Sequence, residues 1–260
     1  MVNTIENTFT ADEFGEFLED SNVVTYNVTA SHESVRQVAI DNFEGANLVS
    51  VGVFGDIDVL PRGGSARWKV TDYGPGSVLS GLAQDSENLY FGGNSSTFFA
   101  TRKTDGGQVW SFGTTDKIES GVVENSNNVY VGEAGGVLYA LDETDGTQVW
   151  SYSNAGDVNS SGLAQDSDNV YFGSRDNNAY AVDKTDGTEV WSFSVGKSVT
   201  SGFAEDSDNV YFCVENGTAY ALDKTDGTEV WSYSNTGKTI ASGVVQDSNN
   251  VYFGDYGGKA

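Results

Sequence analysis

Histidine is all but missing from this chain of 260 residues: the one copy is His32, near the N-terminus, where a solvated position at a helix start accounts for it. A serine–histidine–aspartate triad has no evident base in the rest of the chain, and histidine-built metal sites are excluded. Cysteine is equally scarce. Cys213 stands alone, so no internal disulfide can form, and it occupies a position where sister segments carry Gly173 and Gly254. That placement reads as a buried structural thiol. Two prolines leave no Pro-rich linker. No apolar run reaches membrane-spanning length, and the first residues, Met1-Val-Asn-Thr-Ile-Glu-Asn7, lack the basic and apolar regions of a signal peptide. Taken as complete, the chain is expected to be cytoplasmic.

Positive charge is the other deficit. Thirteen Lys and Arg face 38 Asp and Glu, for a net charge of −25. Such a surface repels phosphates and anionic headgroups, so neither nucleic acid nor membrane is an expected partner. The acids are dispersed over turns and not gathered in a tail, which argues against a disordered acidic arm. A dispersed carboxylate surface with few lysines resembles that of proteins from extreme halophiles, where molar salt screens self-repulsion.

What the chain does have is a repeat. Trp110, Trp150, Trp191 and Trp231 are spaced 40, 41 and 40 residues apart, each embedded in nearly the same text. A fixed period of this size means stacked structural units. In the copy around Trp191, strand A is expected at Asn159–Gln165, B at Asn169–Ser174, C at Asn178–Asp183 and D at Thr188–Ser194. Strands B to D are rich in Val, Tyr, Phe and Trp, which suit pleated surfaces. Asp166-Ser-Asp-Asn169 and Lys184-Thr-Asp-Gly187 read as hairpin turns. Strand A opens on Ser-Gly and small apolar residues, as a crowded inner strand requires. Four antiparallel strands repeated radially make an all-β fold, a β-propeller of four-stranded blades.

The expected blades lie near 46–73, 78–114, 119–154, 159–195, 200–235 and, in part, 241–260, about six with the last incomplete. The first is a worn copy: Asn47-Leu-Val-Ser-Val-Gly52 resembles Asn169–Gly173, and counting back from Trp68 aligns Ile57–Val59 with Tyr180–Val182. The stop at Ala260, midway through a repeat, suggests a fragment whose open sheet edge would invite self-association. Residues 1–45 do not follow the repeat and are expected to form a small mixed α/β segment. Thr10-Ala-Asp-Glu13 caps a short helix through Asp20, Asn22–Thr29 is strand-like, and Ser31–Phe43 reads as a second helix.

The pattern Ala-Leu-Asp-x-Thr-Asp-Gly-Thr-x-Val-Trp, preceded by Asn-Val-Tyr-Phe-Gly, resembles the quinoprotein-type (PQQ-like) propeller repeat over residues 47–260, most strongly from residue 80. That family includes quinone-dependent alcohol and glucose dehydrogenases. It also includes non-catalytic propellers, such as the lipoprotein scaffold of the bacterial outer-membrane barrel-assembly machinery. The resemblance implies that the repeat tryptophans pack between adjacent blades. It also implies that an enzyme would need a quinone stacked on Trp beside an adjacent Cys pair, a calcium ion held by Glu, Asn and Asp, and an Asp base. No adjacent Cys pair exists, and the chain is less than half the length expected of those enzymes. No catalytic residue, cofactor or metal site is therefore assigned.

Other candidates dissolve on inspection. Asp166-Ser-Asp168 hints at calcium, but the sixth position of an EF-hand count needs Gly and falls on Tyr171. Asp183 and Asp186 recur as Asp142/Asp145 and Asp223/Asp226; a catalytic pair is needed once, a turn in every blade. Chance accounts for the sequons at Asn27, Asn94, Asn159 and Asn216 in a chain so rich in Asn and Ser.

The loops carry the better clue. Strands alternate in direction, so A-to-B and C-to-D turns share one face of the disc, and they barely vary. The B-to-C loops share the other face with the D-to-A connections, and they differ in every copy: Gly93-Asn-Ser-Ser96, Glu133-Ala-Gly-Gly136, Ser174-Arg-Asp-Asn177 and Val214-Glu-Asn-Gly217. A rigid scaffold leaves such loops free for recognition, although drift in solvated loops gives the same variability. Lys117, Arg175, Lys197 and Lys238 are the candidate partner-binding residues there. The reading is a non-enzymatic binding or scaffold module with a protein as its partner. The alternatives are a degenerate quinone-dependent dehydrogenase fragment and a sensor segment of a larger signalling chain. The charge balance adds its own prediction: the thermal unfolding midpoint is expected to drop sharply from molar to low KCl, and an unchanged midpoint contradicts the halophile-like reading.

Overall fold

In the computed structural model, residues 78–153, 156–158, 162–199, 201–234 and 243–254 are described in full, with the backbone of 48–51, 57–60 and 68–70. The described residues contain strands, turns and bends and no helix. The helices expected over 10–20 and 31–43 and the strand over 22–29 lie outside them, as does Lys238.

Among the described residues the strands number 21 and pair in chain order. β1 (Leu48–Val51), β2 (Ile57–Leu60) and β3 (Trp68–Val70) form a three-stranded sheet. Four four-stranded antiparallel sheets follow. The first joins β4 (Ala83–Gln84), β5 (Asn88–Gly92), β6 (Thr97–Arg102) and β7 (Gln108–Gly113); the next joins β8 (Val122–Glu124), β9 (Asn128–Gly132), β10 (Leu138–Asp142) and β11 (Gln148–Tyr152). Then come β12 (Ala164–Gln165), β13 (Asn169–Gly173), β14 (Asn178–Asp183) and β15 (Glu189–Ser194), and after them β16 (Ala204–Glu205), β17 (Asn209–Cys213), β18 (Thr218–Asp223) and β19 (Glu229–Ser234). A two-stranded sheet, β20 (Val245–Gln246) with β21 (Val251–Tyr252), closes the series. The architecture is the expected propeller of four-stranded blades, six sheets with the last partial.

Each sheet is apolar on both faces, so it must be covered on both. The cores accordingly lie between consecutive sheets: one gathers Tyr90, Phe98 and Trp110 with Val122, Val129 and Leu141, and the next two repeat the arrangement one and two sheets further on. Cys213 is fully buried on β17, and burial pushes its thiol up to about 12, so it behaves as a small apolar side chain.

Two contacts fix the angle between neighbours. At the outer strand, the Trp110, Trp150 and Trp191 indoles donate to the carbonyls of Glu143, Lys184 and Lys224 in the following sheet, each at 2.9 Å. The rings lie over Gly146, Gly187 and Gly227, all with φ above +70°; a Cβ on Gly146 would come within 2.5 Å of the Trp110 ring. At the inner strand, backbone meets backbone. A Cβ on Gly121 would stand 2.7 Å from Leu163 N and 2.9 Å from Gly162 Cα, and one on Gly162 would stand 2.8 Å from Gly202 Cα. The Gly81 amide donates across to the Ser120 carbonyl at 2.8 Å. This is the crowding that the repeated Ser-Gly serves. The serine half of the motif works inward: Ser80, Ser120 and Ser201 accept the Gly92, Gly132 and Cys213 amides at 2.7, 2.9 and 2.7 Å, satisfying the end of strand B where it is buried.

Three details differ from expectation. Among the described residues strand A is paired only at Ala164 and Gln165 in β12; Gly162 and Leu163 before it lie against Gly121 and Gly202 and leave the ladder, and 159–161 lie outside the described residues. Each C–D pair also carries a bulge: Ala181 opposes Trp191 while Val182 opposes Glu189, leaving Val190 unpaired and exposed, and the same shift recurs at Val109, Val149 and Val230. In the worn first copy Val59 opposes Trp68, so Val59 matches Ala181 and not Val182; the chain between the paired residues is one residue shorter, and the alignment by counting slips accordingly.

Trp231 tests the junction within the molecule itself. It keeps the in-sheet contact with Tyr211 at 6.0 Å, as Trp191 does with Tyr171, yet it is 37% exposed against 6% for Trp191. The partial sheet that follows presents no described C-to-D turn to cover it. Replacing Trp150 or Trp191 by Ala is therefore expected to cost about 3–5 kcal/mol in urea unfolding, and Trp231→Ala about 1 kcal/mol or less. Equal losses at all three would mean that the inter-sheet contact is not what holds the tryptophans.

Candidate interaction face

The B-to-C loops and D-to-A connections meet at one end of the strands, as alternation requires, and a belt of backbone hydrogen bonds ties them together. The Ile118 amide donates to the Gly93 carbonyl at 3.0 Å and the Ala134 amide to the Lys117 carbonyl at 2.9 Å, so one connection is clasped by the loops of two sheets. Arg175 N to Asp157 O at 3.0 Å, Val199 N to Ser174 O at 3.2 Å and Glu215 N to Ser198 O at 3.0 Å continue the belt.

The loops vary in sequence but share one backbone form. The fourth residue of each lies in the left-handed region: Ser96 at φ 51°, Gly136 at 88°, Asn177 at 74° and Gly217 at 88°. Ser and Asn hold a conformation there that glycine takes without strain, so the turn is a fixed requirement and only its side chains are free to differ.

Two acidic side chains fasten the belt. Glu133, fully buried, accepts the Thr115 and Asp116 amides at 2.8 and 3.1 Å on Oε2 and the Thr115 hydroxyl at 2.6 Å on Oε1. Asp176 accepts the Gly156 amide at 3.1 Å and the Asn178 amide at 3.0 Å, and bonds to the Tyr180 hydroxyl. Burial works to raise the Asp176 carboxyl, but these bonds outweigh it and hold it below the ordinary range. Burial first, and then the bond to Asp176, push Tyr180 up to about 12. Sequence reading missed both acids. Their only signal is a carboxylate at a loop position where the sister copies carry an uncharged residue: Gly93, Ser174 and Val214 match Glu133, and Ser95, Gly135 and Asn216 match Asp176.

Of the basic residues singled out from sequence, Lys117, Arg175 and Lys197 are among the described residues and lie on different segments of this face, while Lys238 lies outside the described residues. Lys117 lies between β7 and β8, with Nζ 2.7 Å from Glu119 Oε1. Arg175 is in the β13–β14 hairpin, with Nη1 3.6 Å from Asp157 Oδ2. Lys197, between β15 and β16, is exposed. Lys117 and Arg175 are thus partly neutralised within the chain, and the face is a mosaic of paired charges and not a basic patch.

On the opposite face the recurrent carboxylates serve the turns. Asp166 Oδ1 accepts the Asp168 and Asn169 amides at 2.9 and 2.8 Å, and Asp186 Oδ1 accepts the Thr188 amide at 3.0 Å and its hydroxyl at 2.7 Å. The same bonds recur at Asp226 and Asp145, as the repetition argument expects of turn residues.

The comparisons with known proteins agree with this geometry. A family model described as "Outer membrane protein assembly factor BamB" matches residues 53–179 and 154–260. Among solved structures, BamB from Moraxella catarrhalis is similar with a TM-score of 0.69 at 18% identity, over 86% of this chain and 72% of that one. The computationally designed Ika8 protein is similar with a TM-score of 0.57 at 14% identity, over 84% and 80%. At such identities the structural likeness speaks for the fold alone, and no curated protein matches. The family matches together cover most of the chain, and with the repeat text and the four-stranded sheets they lead to one conclusion: the chain belongs to the PQQ-like β-propeller repeat family.

Proposed function

We propose that this protein is a non-enzymatic scaffold that binds another protein through the B-to-C and D-to-A face. The observation that carries the reading is the contrast on that face: one backbone turn, tied to the connections beside it by backbone hydrogen bonds, presents a different set of side chains in each of the four-stranded sheets. Rigid backbone with divergent side chains is what specific protein recognition uses, since little entropy is lost on docking. The matching family model carries the name of an assembly factor, which points the same way. The tryptophans speak against the alternative of quinone chemistry, since Trp110, Trp150 and Trp191 are each buried against a neighbouring sheet and offer no free ring face to a cofactor. The net charge of −25 disfavours nucleic acid and anionic membranes as partners.

Self-association is a second element of the proposal. Trp231, Tyr233, Val245 and Tyr252 are 37%, 57%, 63% and 51% exposed, and together they make an apolar end where the other sheets are covered. A second copy of the chain is the occupant we assign to it.

Both elements are open to test. Reversing Lys117, Lys197 and Lys238 to Glu is expected to abolish retention of the wild-type protein's partners in a pulldown while leaving the circular dichroism spectrum unchanged; an identical set of retained proteins overturns the face assignment. Light scattering is expected to give a mass above the 27.7 kDa of one chain, returning to that value in the double variant Trp231→Lys, Tyr233→Lys. A wild-type protein monomeric at micromolar concentration removes the second element.

A further inference from the structure

Three junctions between four-stranded sheets share one design on the conserved turn face. The residue before each Thr-Asp-Gly reaches back toward the A-to-B turn and the strand-B tyrosine of the preceding sheet. Between the sheets of β12–β15 and β16–β19 that residue is Lys224, with Nζ 2.8 Å from Asp166 Oδ2, 2.7 Å from Glu205 Oε2 and 6.0 Å from the centre of the Tyr171 ring. One junction earlier it is Lys184, 5.7 Å from the Tyr130 ring centre, and the turn opposite holds the neutral Asn125, whose amide donates to the Tyr130 hydroxyl at 3.1 Å. Between the sheets of β4–β7 and β8–β11 the residue is Glu143, and the turn opposite holds Asp85. A lysine has been replaced by a carboxylate, and it faces another carboxylate.

The Tyr90 hydroxyl stands between the two, 2.5 Å from Asp85 Oδ2 and 3.4 Å from Glu143 Oε1. A phenol has one proton to give, and the shorter contact takes it. The other charged groups around the pair are Glu87 on the Asp85 turn, Lys103 on the β6–β7 turn and Glu124 on β8. The Lys103 ammonium is bonded to the Asp85 carbonyl, and Glu124 adds a further negative charge. Two carboxylates so placed cannot both ionise without repulsion, and the arrangement is satisfied when one carries a proton.

We propose that this junction is held by a single proton shared between Asp85 and Glu143, so that it is tight in acidic solution and loosens as the pH rises, a response that the two other junctions lack. The electrostatics agree. The bond to Asp85 first, then burial and the charges of Asp85 and Glu124, push Glu143 up to about 7. Burial works to raise Asp85, but the bonds to Glu143, Tyr90 and the Asn88 and Glu87 amides outweigh it and hold it down to about 2. An acid whose folded pKa is raised binds its proton more tightly when folded. Its stabilisation is complete below the unfolded carboxylate range and is lost as pH rises through the folded value near 7.

The junction carries its own reporter, because the Trp110 indole donates to the carbonyl of Glu143 itself. The test is indole N–H exchange of the full chain by nuclear magnetic resonance, read tryptophan by tryptophan from pH 5.5 to 8.5. Intrinsic exchange accelerates with pH for all three indoles alike, so the ratio of Trp110 to Trp150 and Trp191 isolates the junction. That ratio is expected to rise by about two- to eightfold per pH unit from pH 5.5 to 7 and to level off above it, the range allowing for partial solvent screening. Glu143→Gln keeps the shape and a donor but has no proton to lose, and Glu143→Lys rebuilds the pair seen at Lys224; each is expected to flatten the ratio. A ratio constant with pH in the wild-type protein, or a rise that survives in Glu143→Gln, overturns the proposal.

Discussion

An indole laid over a glycine, with its N–H given to a carbonyl one sheet further on, is the contact on which this molecule depends. Each sheet is apolar on both faces and cannot hide either face by itself. The tryptophan settles which neighbour covers it and at what distance, because ring and glycine leave no slack: the positive-φ glycine has no side chain to move aside, and the indole has one donor to satisfy. At the inner edge the glycines permit an approach that any Cβ would block. Wide outer contact and narrow inner contact together make the wedge, and the fold follows from repeating it.

Much of this was legible in the sequence because the repeat states it several times over. The repeat tryptophans and the Thr-Asp-Gly turns each appear four times and the Ser-Gly openings five times, so a feature read once can be checked against its sisters. What stayed hidden belongs to pairs of residues and not to single ones. The bulge at Val190 leaves no trace in alternation, since the strand continues through it and only the pairing of Ala181 with Trp191 shows the extra residue. Trp191 and Trp231 sit in almost the same words, yet one is buried and the other is not, because the cover comes from the next sheet. The clasp of Glu133 on Thr115 and the pairing of Arg175 with Asp157 join residues 18 apart whose proximity no local pattern announces.

The two faces of the propeller divide the work. On one, carboxylates recur at fixed places and are consumed in holding turns. On the other, the backbone is equally constrained but the side chains are not. A surface so built can change what it displays without changing its shape.

The line of glycines along the inner edge has one more consequence. Where main chain rests on main chain, the inner-edge approach of one unit to the next owes nothing to side chains, so a unit copied or deleted in the gene, its tryptophan and glycines with it, would meet its neighbours at the same pitch. Such a spine tolerates descent by duplication, and the near-identical wording of the units from residue 80 onward is what recent copying along it would leave behind.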